Sequence, residues 1–177
     1  MKKHTWLAAL AALAFGMLPA SAADTKVELK QIHMCCEGCA KEVAKILGKV
    51  EGVTGVSTDQ EATSAKFTAA DAKAAQKALD ALAAGGFHGD TGGSKEFAFK
   101  NDSAVKSEKV KSLIVTGFHN SCGGCVKSFR DAIKDVKGVT GDNAKAKVST
   151  AEVTGDFEAA ELVKALEKAG FHVKVKE

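Results

Sequence analysis

Apolar and polar positions alternate from Lys26, with Val27, Leu29 and then Ile32 set in "KVELKQI", a pattern that predicts a strand. After a short loop the period changes. Val43, Ile46, Leu47 and Val50 recur at helical spacing, and "EGVTG" closes the segment as a turn. Two strands follow, over Val53–Ser57 and Ser64–Thr68, and then a second helix carrying Ala75, Leu79 and Leu82. "GGFH", ending at His88, places glycine where a helix stops. A last strand falls either on Phe87–Asp90 or on "KEFAFK" beyond a glycine-rich stretch.

The same pattern then repeats. "KVKSLIV" from Lys109 predicts a strand, and Val126, Phe129, Ile133 and Val136 mark a helix. Strands are expected over Val139–Lys145 and Val148–Val153, a helix through Leu162, Val163 and Leu166, a stop at "AGFH", and a final strand in "HVKVK". "HMCCEGC" from His33 and "HNSCGGC" from His119 hold the same place in the two copies, 86 residues apart. A repeat of this length means tandem domains, since solenoid periods run to about 20–50 residues. Each copy reads β-α-β-β-α-β, so the predicted fold is α+β, two tandem ferredoxin-like βαββαβ domains over residues 24–100 and 109–177. Residues 101–108 are polar and aperiodic and read as a flexible linker, which keeps the two loops at high mutual concentration.

The beginning of the chain follows another pattern. Lys2 and Lys3 precede an apolar run from Trp6 to Leu18, and "PASAA" supplies small residues at Ala20 and Ala22. This reads as a secretory signal over residues 1–22, followed by a chain exported to the periplasm or outside the cell. The run is shorter than the roughly 20 residues of a membrane span, so no membrane insertion is expected after cleavage. Without the two signal lysines the formal net charge of +3 falls to +1, with both signs interspersed. That leaves no electrostatic footprint for nucleic acid.

Candidate chemistry is confined to the two loops, which hold all five cysteines. Cys36 with Cys39, and Cys122 with Cys125, lie between a strand and a helix start. There, unpaired N–H groups lower a thiol pKa. Two thiolates so placed can converge on a soft ion: Cu(I) and Hg(II) need no more than two, whereas Zn(II) ordinarily takes four N/S ligands. Cys35, His33, His88, His119 and His172 are auxiliary candidates. His33 is the weaker histidine, because strand direction could turn it away, while His88 and His172 fall near the loop expected beside the metal. Two rival readings use the same cysteines. A thiol-disulfide oxidoreductase also sets CxxC at a helix start, but the chain's one proline is Pro19, so the cis-proline facing a thioredoxin disulfide has no counterpart. A structural module with oxidised CxxC pairs gains little, since so short a loop adds little chain entropy. No carboxylate pair, nucleophile-base array or phosphate loop asks for an enzyme.

With Met34, Cys36 and Cys39 in place of the signature G-M-x-C-x-x-C, and "CEGCAKEVAKILGKVEGVTGVSTD" continuing in the same style, the chain resembles heavy-metal-associated domains. The family includes copper chaperones, the soluble arms of metal-transporting ATPases and a periplasmic mercury-binding protein. The resemblance spans nearly all of both units. It implies a carrier that takes Cu(I) first, or Hg(II) or Zn(II), on its CxxC thiolates. The ion would then pass to a metal transporter or another metal-binding domain by ligand exchange. His33 replaces the signature glycine, Cys35 stands where threonine is common, and Asn120 stands at the methionine position. That methionine braces the family's loop, so a looser, weaker second loop is expected.

Overall fold

The computed structural model describes residues 24–176; the stretch expected to be a secretory signal, residues 1–22, lies outside them. The elements follow the two-copy pattern. The first unit comprises β1 (Thr25–Leu29), α1 (Glu37–Leu47), β2 (Val53–Asp59), β3 (Ser64–Ala69) and α2 (Ala72–Ala84). The second comprises β4 (Lys109–Thr116), α3 (Gly123–Ile133), β5 (Val139–Asp142), β6 (Thr150–Glu158), α4 (Ala159–Lys168) and β7 (Lys174–Lys176). Both sheets are antiparallel, in the orders β1-β3-β2 and β5-β6-β4-β7. The fold is therefore α+β, two sheets with two helices each.

Alternation decides the buried face of each sheet. Val27 and Leu29 pair with Phe67 and Ala65, and Leu113 and Val115 with Val153 and Ala151. Against these faces α1 buries Val43 and Leu47, α2 buries Ala75, Leu79 and Leu82, α3 buries Phe129 and Ile133, and α4 buries Leu162 and Leu166. Asp71 caps α2 by accepting from the Ala74 N–H at 2.6 Å. The helix stops at "GGFH" and "AGFH" are both Schellman motifs. Phe87 N–H donates to Leu82 O and Gly86 N–H to Ala83 O, as Phe171 does to Leu166 and Gly170 to Glu167.

The last strand of the first unit departs from the expected pattern. It is reduced to one bridge, Lys30 with Asp90. Asp90 Oδ1 then accepts from Gly92 N–H and turns the chain away. "KEFAFK" forms no strand; it docks on α2, with the Gln76 amide bonded both ways to the Ala98 backbone and Phe97 buried. Around the predicted linker, Ser103 is 1% exposed and its carbonyl accepts from Val175 N–H, and Asp102 pairs with His172 and Lys174. That segment is docked on the second unit where flexibility was expected.

The two units pack against each other through "GGFH" and "AGFH". Phe87 and Phe171, each fully buried, form an antiparallel bridge. Gly86 O accepts from His119 and His172 N–H at 3.1 and 3.0 Å, and Gly170 O from His88 N–H at 2.9 Å. His33 stacks on Phe171 at 4.1 Å, and His119 on Phe87 at 4.2 Å. The missing side chain of Gly170 makes this approach possible. A Cβ there would lie 2.2 Å from His33 N.

Candidate metal centre

Because each "AGFH" or "GGFH" turn receives the other unit's cysteine loop, the two loops end face to face. Cys36 is the N-cap of α1 and Cys122 that of α3, both extended, so Cys39 and Cys125 fall on the buried side of the first helical turn. The four sulfurs form a closed ring of contacts: Cys36–Cys39 at 3.6 Å, Cys39–Cys125 at 3.8 Å, Cys125–Cys122 at 3.7 Å and Cys122–Cys36 at 4.0 Å. Cys35 Sγ touches three of them, Cys39 at 3.6 Å, Cys122 at 3.8 Å and Cys125 at 3.5 Å. All five are free thiols. Cys39 and Cys125 are fully buried; Cys35, Cys36 and Cys122 are partly exposed along one rim.

The electrostatics concentrate charge at two points. The Cys39 backbone N–H, at the open end of α1, holds the Cys36 thiol below the ordinary range. At the buried end Cys39, 3.8 Å away, and then the neighbouring His119, His33 and Ser121 push the Cys125 thiol down, while the contact with Cys125 and burial push Cys39 up. Burial raises Cys35.

The histidines fall in the opposite order of promise from that expected. His33 is 4% exposed, a ring nitrogen lies within 4.8 Å of the Cys35, Cys39 and Cys125 sulfurs, and its Nε2 is buried without a hydrogen-bond partner. The physical cause is Gln31, in the left-handed region at φ 56°, which breaks the strand's alternation before His33. His119 stays at the edge, bonded to Ser121 Oγ at 3.1 Å. His88 and His172 instead stack on each other at 6.0 Å, and His172 Nε2 lies 2.8 Å from Asp102 Oδ1. Neither belongs to the groups of facing ligand atoms around the sulfurs. Asn120 replaces the methionine brace with hydrogen bonds. Buried, it donates from Nδ2 to Lys145 O and Val148 O at 2.9 and 2.8 Å, and its own carbonyl accepts from Lys147 N–H. Where a looser loop was expected, the second loop is tied down.

A cleft of about 830 Å³ lies elsewhere, between Lys109, Val136, Asp156 and Lys164, and offers a soft ion no sulfur or imidazole. The family model of the heavy-metal-associated domain matches residues 121–172, the copy with Asn120. Oxidized MerP from Ralstonia metallidurans CH34 is 35% identical, over 34% of this chain and 86% of its own, with a TM-score of 0.32. The chain belongs to the heavy-metal-associated domain family. Two structures from Bacillus subtilis, the N-terminal soluble domains of CopA and the water-soluble region of the P-type ATPase CopA, are 16% and 18% identical. Each match covers 88% of this chain, and 95% and 93% of its own, with TM-scores of 0.31. As expected of a heavy-metal-associated protein, the thiol-rich centre has the composition that binds a soft heavy metal. Among the described residues no helix is long and apolar enough to cross a membrane.

Proposed function

We propose that this is an exported carrier, acting in the periplasm or outside the cell. It captures a soft metal ion, Cu(I) first, on Cys36, Cys39, Cys122 and Cys125 and hands it on by thiolate exchange without catalytic turnover. The observation that carries the reading is the closed ring of four sulfurs at 3.6–4.0 Å. With metal–sulfur bonds of about 2.3 Å, sulfurs stand about 3.8 Å apart around a tetrahedral ion, about 4.0 Å around a trigonal one and about 4.6 Å around a linear one. The ring thus favours three- or four-coordination over the two-coordinate site that one CxxC loop suggests. All-thiolate donors favour Cu(I) over harder ions. Hg(II) and Zn(II) are the competitors.

Exchange has a side. Cys36 and Cys122 are on the exposed rim, and Cys36 is the thiol held low by the α1 N-terminus. An incoming thiolate of a transporter or another metal-binding domain meets the ion there, while Cys39 and Cys125 hold it from within. The test is anaerobic titration of the reduced, exported chain with Cu(I), Zn(II) and Hg(II), each against a competing chelator. Cu(I) is expected to win binding at chelator concentrations that strip Zn(II). Failure to compete with any of the three ions would end the carrier reading.

A further inference from the structure

Cys35 is the residue that the CxxC pattern does not use. It follows Met34, its counterpart in the second unit is Ser121, and it lies outside both CxxC pairs. Its surroundings are specific. A Cβ on Gly124, in the other unit's loop, would lie 3.1 Å from Cys35 Sγ, so the glycine of the second loop leaves the space that the extra thiol of the first loop fills. From that place Cys35 belongs to two sets of facing ligand atoms, each within 4.8 Å of one another: Cys35, Cys39, Cys125 and His33 in one, Cys35, Cys36 and Cys122 in the other. In the first set the three S···S edges are 3.6, 3.5 and 3.8 Å. Each set draws thiols from both units and takes one cysteine from each CxxC. The sulfurs are therefore grouped across the interface as well as within the loops.

We infer that Cys35 is a bridging thiolate, and that the centre takes two Cu(I) ions side by side, each held across the two units: one by Cys35, Cys39 and Cys125, the other by Cys35, Cys36 and Cys122. His33 faces the inner ion. This rests on the reading of the protein as a soft-metal carrier and adds its stoichiometry, its ligand pairing and a role for the fifth thiol. Thiolates bridge soft ions because sulfur keeps lone pairs after one bond is made, and one shared sulfur lets five thiols give two ions three ligands each. Binding each ion displaces thiol protons to solvent, with no electron transfer, and the copper enters as Cu(I) from a chelator complex. The first ion organises Cys35 for the second, so loading is cooperative.

The experiment is native mass spectrometry of the exported chain loaded anaerobically with Cu(I) from a chelator, with X-ray absorption on the loaded sample, for wild type and Cys35→Ser. Serine is the residue that Ser121 supplies at the matching position, so the variant is expected to keep the wild-type circular dichroism. The expected wild type passes from empty to two ions with little one-ion species and shows a metal–metal scattering path. Cys35→Ser stops at one ion and loses that path. A Cys35→Ser protein that loads two ions as wild type does, or a wild type that stops at one ion, overturns the bridge while leaving the carrier reading in place. A wild type that takes no Cu(I) overturns both.

Discussion

Substituting Gly170 by alanine tests the packing of the two units on which the shared centre depends. The residue sits at φ 86°, and its added Cβ would stand 2.2 Å from His33 N and 2.6 Å from Gln31 O. No rotamer relieves a clash between backbone and Cβ, so the loops must move apart by about 1 Å or more to reach ordinary contact. An alanine in the left-handed region costs about 1–2 kcal/mol, and loss of the His88 N–H bond to Gly170 O about 1 kcal/mol more. The first cost falls on the turn itself, as it does at Gly117, whereas the clash and the lost bond fall on the packed arrangement and shift it by at least about 1 kcal/mol, roughly fivefold in population. Small-angle scattering reads the result. A compact body of about 150 residues has a radius of gyration of about 15 Å, and the variant should exceed it by several ångströms, with Cys39 and Cys125 becoming reactive toward a thiol reagent. Gly117→Ala is the control. Gly117 has nearly the same φ, 81°, but its Cβ would meet nothing within 4 Å. It should lose stability without expanding. A Gly170→Ala protein as compact as the control, with Cys39 and Cys125 still protected, would refute the packing.

Three further predictions concern the supports of the site. Asn120→Ala removes two hydrogen bonds from a buried side chain and should lower stability by about 1–2 kcal/mol in chemical denaturation. No change would mean that Asn120 does not brace the loop. Asp102→Asn weakens the tether to His172 and Lys174 and should speed proteolysis within residues 101–108; its pair with Lys174 is exposed and contributes less than about 1 kcal/mol to the unfolding free energy, and Asn can still accept a hydrogen bond from the buried His172. Burial first, and then His172, pushes His88 down to about 4, partly offset by Asp90 and the Glu167 backbone carbonyl. Its stabilising contribution is thus full above pH 6.5 and is lost as pH falls toward 4, because the unfolded chain binds the proton first. Apo-protein stability measured across that window should fall for wild type and fall less steeply for His88→Leu.

Much of this was legible in the chain. The repeat, the four helices and most of the strands follow from periodicity, because each element has one face against its own core. The strand expected after the first "GGFH" does not form, since Gln76 and the buried Phe97 give "KEFAFK" another place to satisfy its backbone and its apolar side chains. The junction between the units was hidden for a different reason. Phe87 and Phe171 have the pattern of ordinary core residues, and nothing in spacing distinguishes a phenylalanine buried under its own helix from one buried under a second copy. The glycine before each was visible as a helix stop, but its other use, admitting the opposite loop, depends on a contact between distant parts of the chain. Extrapolating the first strand turns His33 away from the loop, but Gln31 interrupts that strand; in the sequence only the equivalence of Gln31 with Gly117, a residue suited to that conformation, hints at the turn. Asn120, which looked like a defect, completes its loop with carbonyl acceptors contributed about 25 residues away in sequence.

The central claim is that the two loops make one metal centre. The most direct measurement is Cu(I) affinity, by anaerobic competition with a chelator, in wild type, in Cys36→Ser/Cys39→Ser and in Cys122→Ser/Cys125→Ser. For a shared centre, removing either pair weakens all the copper the chain holds, and the pair left intact does not retain wild-type affinity. If each double variant keeps one ion bound as tightly as wild type, the loops are two independent sites and the shared centre is wrong.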